Sequence, residues 1–194
     1  FLADYSGAER ELREIIPLAA RVGEDRLVAV AWSNLVFVIG GRLGRSEEAL
    51  FLRLALDQAL ARIQDPKLEA TAAANVGWVL VLNATKMDEA LKQAEVARRL
   101  SERAFSPDDG DWVQGLYLEA AALGGADRYE ESLAAYERAL TLAIRVSGPQ
   151  HPTVGVARYN AGLVLLDLGR LRQAAERFER ALRIFEKAYG PTHG

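Results

Sequence analysis

The apolar residues of this chain recur in blocks. Within residues 171–189, Ala174, Phe178 and Ala181 fall at i, i+4 and i+7, a spacing that places side chains on one face of a helix. The same triad returns earlier in the chain. Ser132, Tyr136 and Ala139 lie 42 residues back, and Ala90, Ala94 and Ala97 lie 42 residues before those. Steps of 41 then reach Ala49, Arg53 and Leu56, and finally Ala8, Leu12 and Ile15. The join Gly148-Pro149-Gln150-His151-Pro152 returns in part as Gly190-Pro191-Thr192-His193, again 42 residues on. A fixed period of this length predicts a repeat array, in which each helical hairpin buries its apolar face against its neighbours. Small residues in the triad let the second helix of a hairpin approach the first. A larger side chain at Ala90 or Ala174 would overpack that contact at a cost of about 1–3 kcal/mol.

The pattern predicts one array with no internal domain boundary, residues 1–194. Residues 1–23 hold half a repeat, residues 24–64, 65–106, 107–147 and 148–189 hold four full repeats, and residues 190–194 begin another. Helices are expected over 6–22, 27–40, 46–63, 67–82, 88–104, 111–123, 129–146, 153–168 and 171–189. Pro17 is expected to kink or shorten the first of these. Residues 40–45 read as a flexible connection. Ser46 reads as an N-cap, with Glu47 and Glu48 favoured by the helix dipole. Asp65-Pro66 starts the next repeat. The connection Asn83-Ala84-Thr85-Lys86 is one residue longer than its counterpart in the last repeat, which keeps both helices in phase. Ser106-Pro107-Asp108-Asp109-Gly110 replaces the Gly-Pro-x-His-Pro join, and Gly169 stands where a helix C-cap glycine is expected. The sequence opens inside one repeat and stops at the start of another, so it reads as a piece of a longer protein.

Composition narrows the partners. Half of the residues are hydrophobic, which suits helical packing and argues against disorder. The net charge is −3, which gives no general pull toward nucleic acid or an anionic membrane. The longest apolar stretch, residues 27–41, is interrupted by Ser33 and Asn34 and is too short to span a bilayer. There are no cysteines, hence no disulfides and no thiolate metal site. A cytoplasmic location is the matching expectation.

Gly162, Ala174, Phe178 and Ala181 stand where a tetratricopeptide repeat (TPR) places its small, small, aromatic and small residues. The chain resembles that family along its length, in the 42-residue variety of kinesin light chains and many bacterial signalling proteins. The first full repeat departs from the pattern, with Arg53 in place of the aromatic residue; Trp32 sits at the place of the family's tryptophan. The resemblance implies an all-α fold, a right-handed superhelix (α-solenoid) of about four and a half helix-turn-helix repeats. It also implies that the first helix of each repeat lines a concave groove. Residues 25–38, with Trp32-Ser33-Asn34 inside them, followed by repeats joined through Gly-Pro-x-His, resemble the C-terminal repeat regions of bacterial Ser/Thr protein kinases of the myxobacterial type. That resemblance implies a sensor or recruitment arm. The sequence itself carries no kinase motif.

The candidate site lies on the first helices. Asn34, Asn75 and Asn160 occupy one position in three repeats, and Leu118 breaks the series. Asparagine is a poor helix-interior residue, so its recurrence calls for a reason. In one reading each amide serves the backbone of an extended peptide, as groove asparagines do in the family. In the other it bonds a neighbouring helix. On the same face Phe37, Trp78, Tyr117 and Tyr159, with Gln114, either line an apolar peptide groove or pack between first helices. Arg53 reads as a side chain snorkelling from the core face. Arg170, Arg172, Arg177, Arg180 and Arg183 read as a solvated outer face supported by Glu176 and Glu179 at i, i+4 spacing. His151 and His193 sit at equivalent joins, a poor metal arrangement that reads as turn structure. The paired acids at the starts of second helices answer the helix dipole rather than acid–base chemistry. No catalytic residues, metal ligands or cofactors are assigned. The sequence therefore reads as a non-catalytic module that binds a peptide or protein surface. A small-molecule-sensing domain of a transcription regulator, or a scaffold that associates end to end, are the alternatives.

Overall fold

The computed structural model describes residues 4–83, 86–106 and 109–190. The expectations placed on Ala84-Thr85, on Pro107-Asp108 and on Pro191-Thr192-His193 lie outside the described residues. Among the described residues there are nine α-helices and no strand: α1 (Tyr5–Arg21), α2 (Asp25–Phe37), α3 (Ser46–Leu60), α4 (Pro66–Leu82), α5 (Met87–Ala104), α6 (Trp112–Gly125), α7 (Tyr129–Ser147), α8 (Pro152–Asp167) and α9 (Leu171–Tyr189). They group into two units, residues 1–104 and residues 105–194.

In the first unit α1 packs on α2, α2 on α3 and α4, and α4 on α5. Its core is aliphatic, with Leu35, Val36 and Ile39 from the first hairpin meeting Leu56, Val76 and Val79. Local chemistry sets the helix starts. Asp4 accepts from the Gly7 N–H at 2.7 Å and Asp65 from the Leu68 N–H at 3.1 Å, with Pro66 in the first turn of α4. Pro17 does not interrupt α1. It lies in the final turns, on an exposed position where water can take the carbonyl bond that its missing N–H leaves open.

Two further expectations are corrected here. Residues 40–42, the first part of the connection expected over 40–45, are not loose but belong to a π-helical turn continuing α2, Val38–Arg42. Counted from the asparagine position to the small residue of the triad, the first two repeats are one residue longer than the last two. A π-turn absorbs such an insertion. Gly40 makes it possible, because a Cβ there would stand 2.6 Å from the Val79 methyls and 2.8 Å from the Ala49 Cβ. Ser46 is the first residue of α3 and not its cap. Arg45 occupies the cap position without a side-chain cap bond. Its backbone N–H is held by the Ile39 carbonyl at 2.9 Å and its guanidinium by Glu9 and Glu48. Arg128 and Arg170 take the same cap position before α7 and α9, and their N–H groups bond Leu123 and Leu165.

In the second unit α6 pairs with α7, α7 packs on α8, and α8 pairs with α9. His151 caps α8, its Nδ1 accepting from the Thr153 N–H at 3.3 Å. Gly169 has φ +71°, and Asp127 takes φ +58° at the equivalent point between α6 and α7. Aromatic rings fill this unit's hairpins. Phe178 lies over Gly162 so closely that a Cβ there would stand 2.6 Å from the ring.

Candidate functional site

The asparagines at the recurring position have different surroundings. Asn75, half-buried on α4, donates from its amide nitrogen to the Ser33 hydroxyl at 2.9 Å and to the Ser33 carbonyl at 3.3 Å. It therefore ties α4 to α2. Asn34 on α2 is exposed, and Asn160 on α8 is half-buried. Among the described residues neither side chain makes a hydrogen bond within the chain. The local sequence explains the split. One position before the asparagine, the preceding first helix offers the hydroxyl of Ser33 to Asn75, whereas the equivalent residue before Asn160 is Tyr117, whose hydroxyl donates to the Thr153 carbonyl.

The aromatic positions divide in the same way. Phe37 is half-buried, and the Arg42 guanidinium lies 5.0 Å from its ring centroid. Trp78 is half-buried on α4. Tyr117 is only 4% exposed. Its hydroxyl donates to the Thr153 carbonyl on α8 at 2.8 Å, and its ring packs 6.4 Å from that of Tyr136. Burial, with the Tyr136 hydroxyl nearby, pushes the Tyr117 pKa upward. Burial also pushes Tyr136 up to about 12. Tyr117 thus packs between first helices, the second of the two roles its position allows. Tyr159, one repeat later, is 47% exposed, with its ring 5.5 Å from Phe178. Together with Leu163, Leu182 and Phe185 it lines an apolar cleft of about 490 Å³. Gln114 is exposed on α6. The structure therefore brings Asn34, Phe37, Asn75 and Trp78 into one unit and Gln114, Tyr117, Tyr159 and Asn160 into the other.

Sequence reasoning did not identify a set of ion pairs joining the starts of successive second helices. Arg45 meets Glu9 at 2.7 Å, Lys86 meets Glu47 at 3.1 Å and Arg170 meets Glu130 at 2.5 Å. The signal was present as a base 36 to 40 residues after each acid. Hydrogen bonding from Arg45 holds the carboxyls of Glu9 and Glu48 below the usual carboxylate range. The backbone N–H of Leu68 does the same for Asp65, helped by Arg26. These pairs lie at the surface and are screened by solvent, so they order the surface more than they stabilise it. No helix among the described residues is long and apolar enough to cross a membrane.

Comparison with known proteins bears on the fold. The tetratricopeptide repeat family model matches residues 114–187. No curated protein matches the sequence. Among solved structures, BtubC (BKLC) from P. vanneervenii is similar with a TM-score of 0.80 at 18% identity, over 99% of this chain and 78% of that one. A kinesin-light-chain-like protein from Podosopora anserina with nearly identical TPR-like repeats is similar with a TM-score of 0.68 at 14% identity, over 95% of this chain and 89% of that one. A variant of the same protein gives 0.71 at 14% identity, over 95% of this chain and 88% of that one. The chain has the all-α tetratricopeptide-repeat fold with kinesin-light-chain-like structural neighbours, and residues 114–187 carry the repeat's sequence pattern.

Proposed function

We propose that this chain is a non-catalytic interaction module whose first helices receive a peptide or protein surface. In this reading it is the sensor or recruitment region of a bacterial signalling protein such as a Ser/Thr protein kinase. The observation that carries the binding part is the pair of uncommitted amides. Asn34 and Asn160 stand at helix-interior positions that asparagine disfavours, and within the chain their side chains bond nothing among the described residues. Each supplies a donor and an acceptor to an incoming backbone. In residues 1–104 Phe37 and Trp78 offer half-buried flanks beside Asn34, and in residues 105–194 the exposed Gln114 and Tyr159 supply a further amide and an apolar contact beside Asn160. Asn75 and Tyr117 are spent inside the fold and position the helices that carry the others.

A peptide-library screen of wild type beside Asn34→Ala/Asn160→Ala tests this, with circular dichroism as the folding control. Each hydrogen bond lost to ligand is worth about 0.5–1.5 kcal/mol, so the folded double variant binds the selected peptide several-fold more weakly. Equal binding by the variant, or no peptide selected by wild type, contradicts the reading. The kinase setting rests on the resemblance of residues 25–38. Phosphoryl transfer by the full-length protein is its expected outcome, and a full-length protein without that activity contradicts it.

A further inference from the structure

The hairpin positions filled by a ring in residues 105–194 are filled differently in residues 1–104. Tyr136 and Leu140 on α7 are each 5% exposed, and the Tyr136 ring lies 6.4 Å from that of Tyr117 on α6. Arg177 on α9 reaches Glu137 on α7 at 2.6 Å. Arg158 on α8 is pressed by burial and by the neighbouring Arg177 and Arg180, which lower its pKa. The corresponding residues of the first unit are shorter or turned outward. Arg53 replaces Tyr136, Asp57 replaces Leu140, Ala73 replaces Arg158 and Gln93 replaces Arg177. Arg53 and Asp57 pair with each other at 3.6 Å, their side chains 41% and 56% exposed. What remains between α3, α4 and α5 is a cleft of about 440 Å³. Its floor is Leu56, Ala72 and Val76, and Val96 and Leu100 form its far wall.

We propose that this cleft is a binding site for an aromatic side chain, a tyrosine carried by a partner polypeptide. The volume falls within the range of about 300–1,000 Å³ that ligand pockets occupy, and it exceeds what one ring fills. The occupant therefore brings atoms beside the ring. The polar groups fit a tyrosine. Gln93 is 9% exposed, and its amide nitrogen donates to the Ala73 carbonyl at 3.2 Å. Gln93 lines the cleft, and its amide oxygen makes no hydrogen bond within the chain among the described residues, which leaves it available as an acceptor for a phenol O–H. Arg53, Asp57 and Glu69 rim the opening and offer both signs of charge to the backbone and neighbours of the incoming residue. In the repeat register Arg53, on the rim of the cleft, stands where the second unit carries Tyr136. This site uses other residues than Asn34 and Asn160, so it stands or falls separately from the reading above.

The test is an NMR titration of the isotope-labelled chain with N-acetyl-tyrosine amide, N-acetyl-phenylalanine amide, N-acetyl-leucine amide and p-cresol. The tyrosine derivative shifts resonances at Leu56, Ala72, Val76 and Gln93. The phenylalanine derivative binds several-fold more weakly and the leucine derivative about tenfold more weakly. Gln93→Leu erases the difference between tyrosine and phenylalanine. Arg53→Tyr, which supplies the ring from the chain itself, and Ala73→Arg, which supplies the side chain that Arg158 supplies in the second unit, each abolish the response with helicity unchanged. The proposal is overturned if no shift appears at these residues in wild type, or if the response survives both filling variants. Binding of p-cresol as tightly as the tyrosine derivative overturns the polypeptide part.

Discussion

Where Tyr136 and Phe178 seat their rings in residues 105–194, residues 1–104 carry Arg53 and Ala94. The first helices opposite these positions change in step. The ring of Phe178 faces Gly162, and in the repeat register Ala120 answers Tyr136, Val36 answers Arg53 and Gly77 answers Ala94. Bulk is thus supplied by the second helix in one half. In the other half it comes from the first helix, or from neither. Both arrangements fold into the same hairpins, because a helical pair needs a filled seam and not one particular residue to fill it. The family's sequence pattern is matched over 114–187, where the aromatic residue is present. The structural likeness extends over 99% of the chain. Departing from the aromatic left the fold intact and, in the first unit, opened the cleft beneath Arg53.

If the aromatic position matters in only one unit, Tyr136→Ala will have the largest effect. Removing a ring from a closed seam costs about 3–5 kcal/mol, read by chemical denaturation. Arg53→Ala at the equivalent place will cost no more than about 1 kcal/mol, since it breaks only an exposed ion pair. Similar losses at the two positions would break the comparison. The glycines that permit close approach come next. Gly162→Ala forces its Cβ into Phe178, and Gly40→Ala forces its Cβ against Val79 and Ala49. Each will overpack by about 1–3 kcal/mol, measured as a shift in denaturation midpoint.

A smaller effect separates the asparagines. Asn75→Ala will lose about 0.5–1.5 kcal/mol with its bond to Ser33, while Asn160→Ala will stay within about 0.5 kcal/mol of wild type. The smallest effect is electrostatic. The carboxyls of Glu9, Glu48 and Asp65 have folded-state pKa values below their ordinary values of 4.5, 4.5 and 3.8. They contribute stability that is present above those ordinary values and is lost as the pH falls through the depressed folded ones. Arg45→Gln removes the main hydrogen bonds to Glu9 and Glu48. It will therefore flatten the acid limb of the stability curve and leave the relative stability near neutral pH only slightly lower.

Much of this architecture was legible in the sequence. The 42-residue step and the i, i+4, i+7 triad located the repeats, and α9 and α4 begin and end within a residue of where periodicity put them. Contacts one repeat away were less legible. The bond of Asn75 depends on Ser33, 42 residues earlier in the chain, and the equivalent Tyr117 bonds Thr153 instead of Asn160. The same distance hid the ion pairs from Glu9, Glu47 and Glu130 to the next repeat. From the sequence Arg53 reads as a snorkelling side chain. Its pairing with Asp57, and the open volume beneath the pair, depend on how α3, α4 and α5 come together. Gly40 and Gly41 suggested a break in the helix. Burial of Gly40 against two other helices turned that stretch into a π-turn instead.

The most direct test of the account is to follow the side-chain amide resonances of Asn34, Asn75 and Asn160 while a peptide selected from the library is added to the full chain. The account predicts that Asn34 or Asn160, in whichever unit the peptide occupies, shifts on binding, and that Asn75 keeps its free-state resonance because its amide stays on Ser33. A response confined to Asn75, or none at any of the three under saturating peptide, would contradict it.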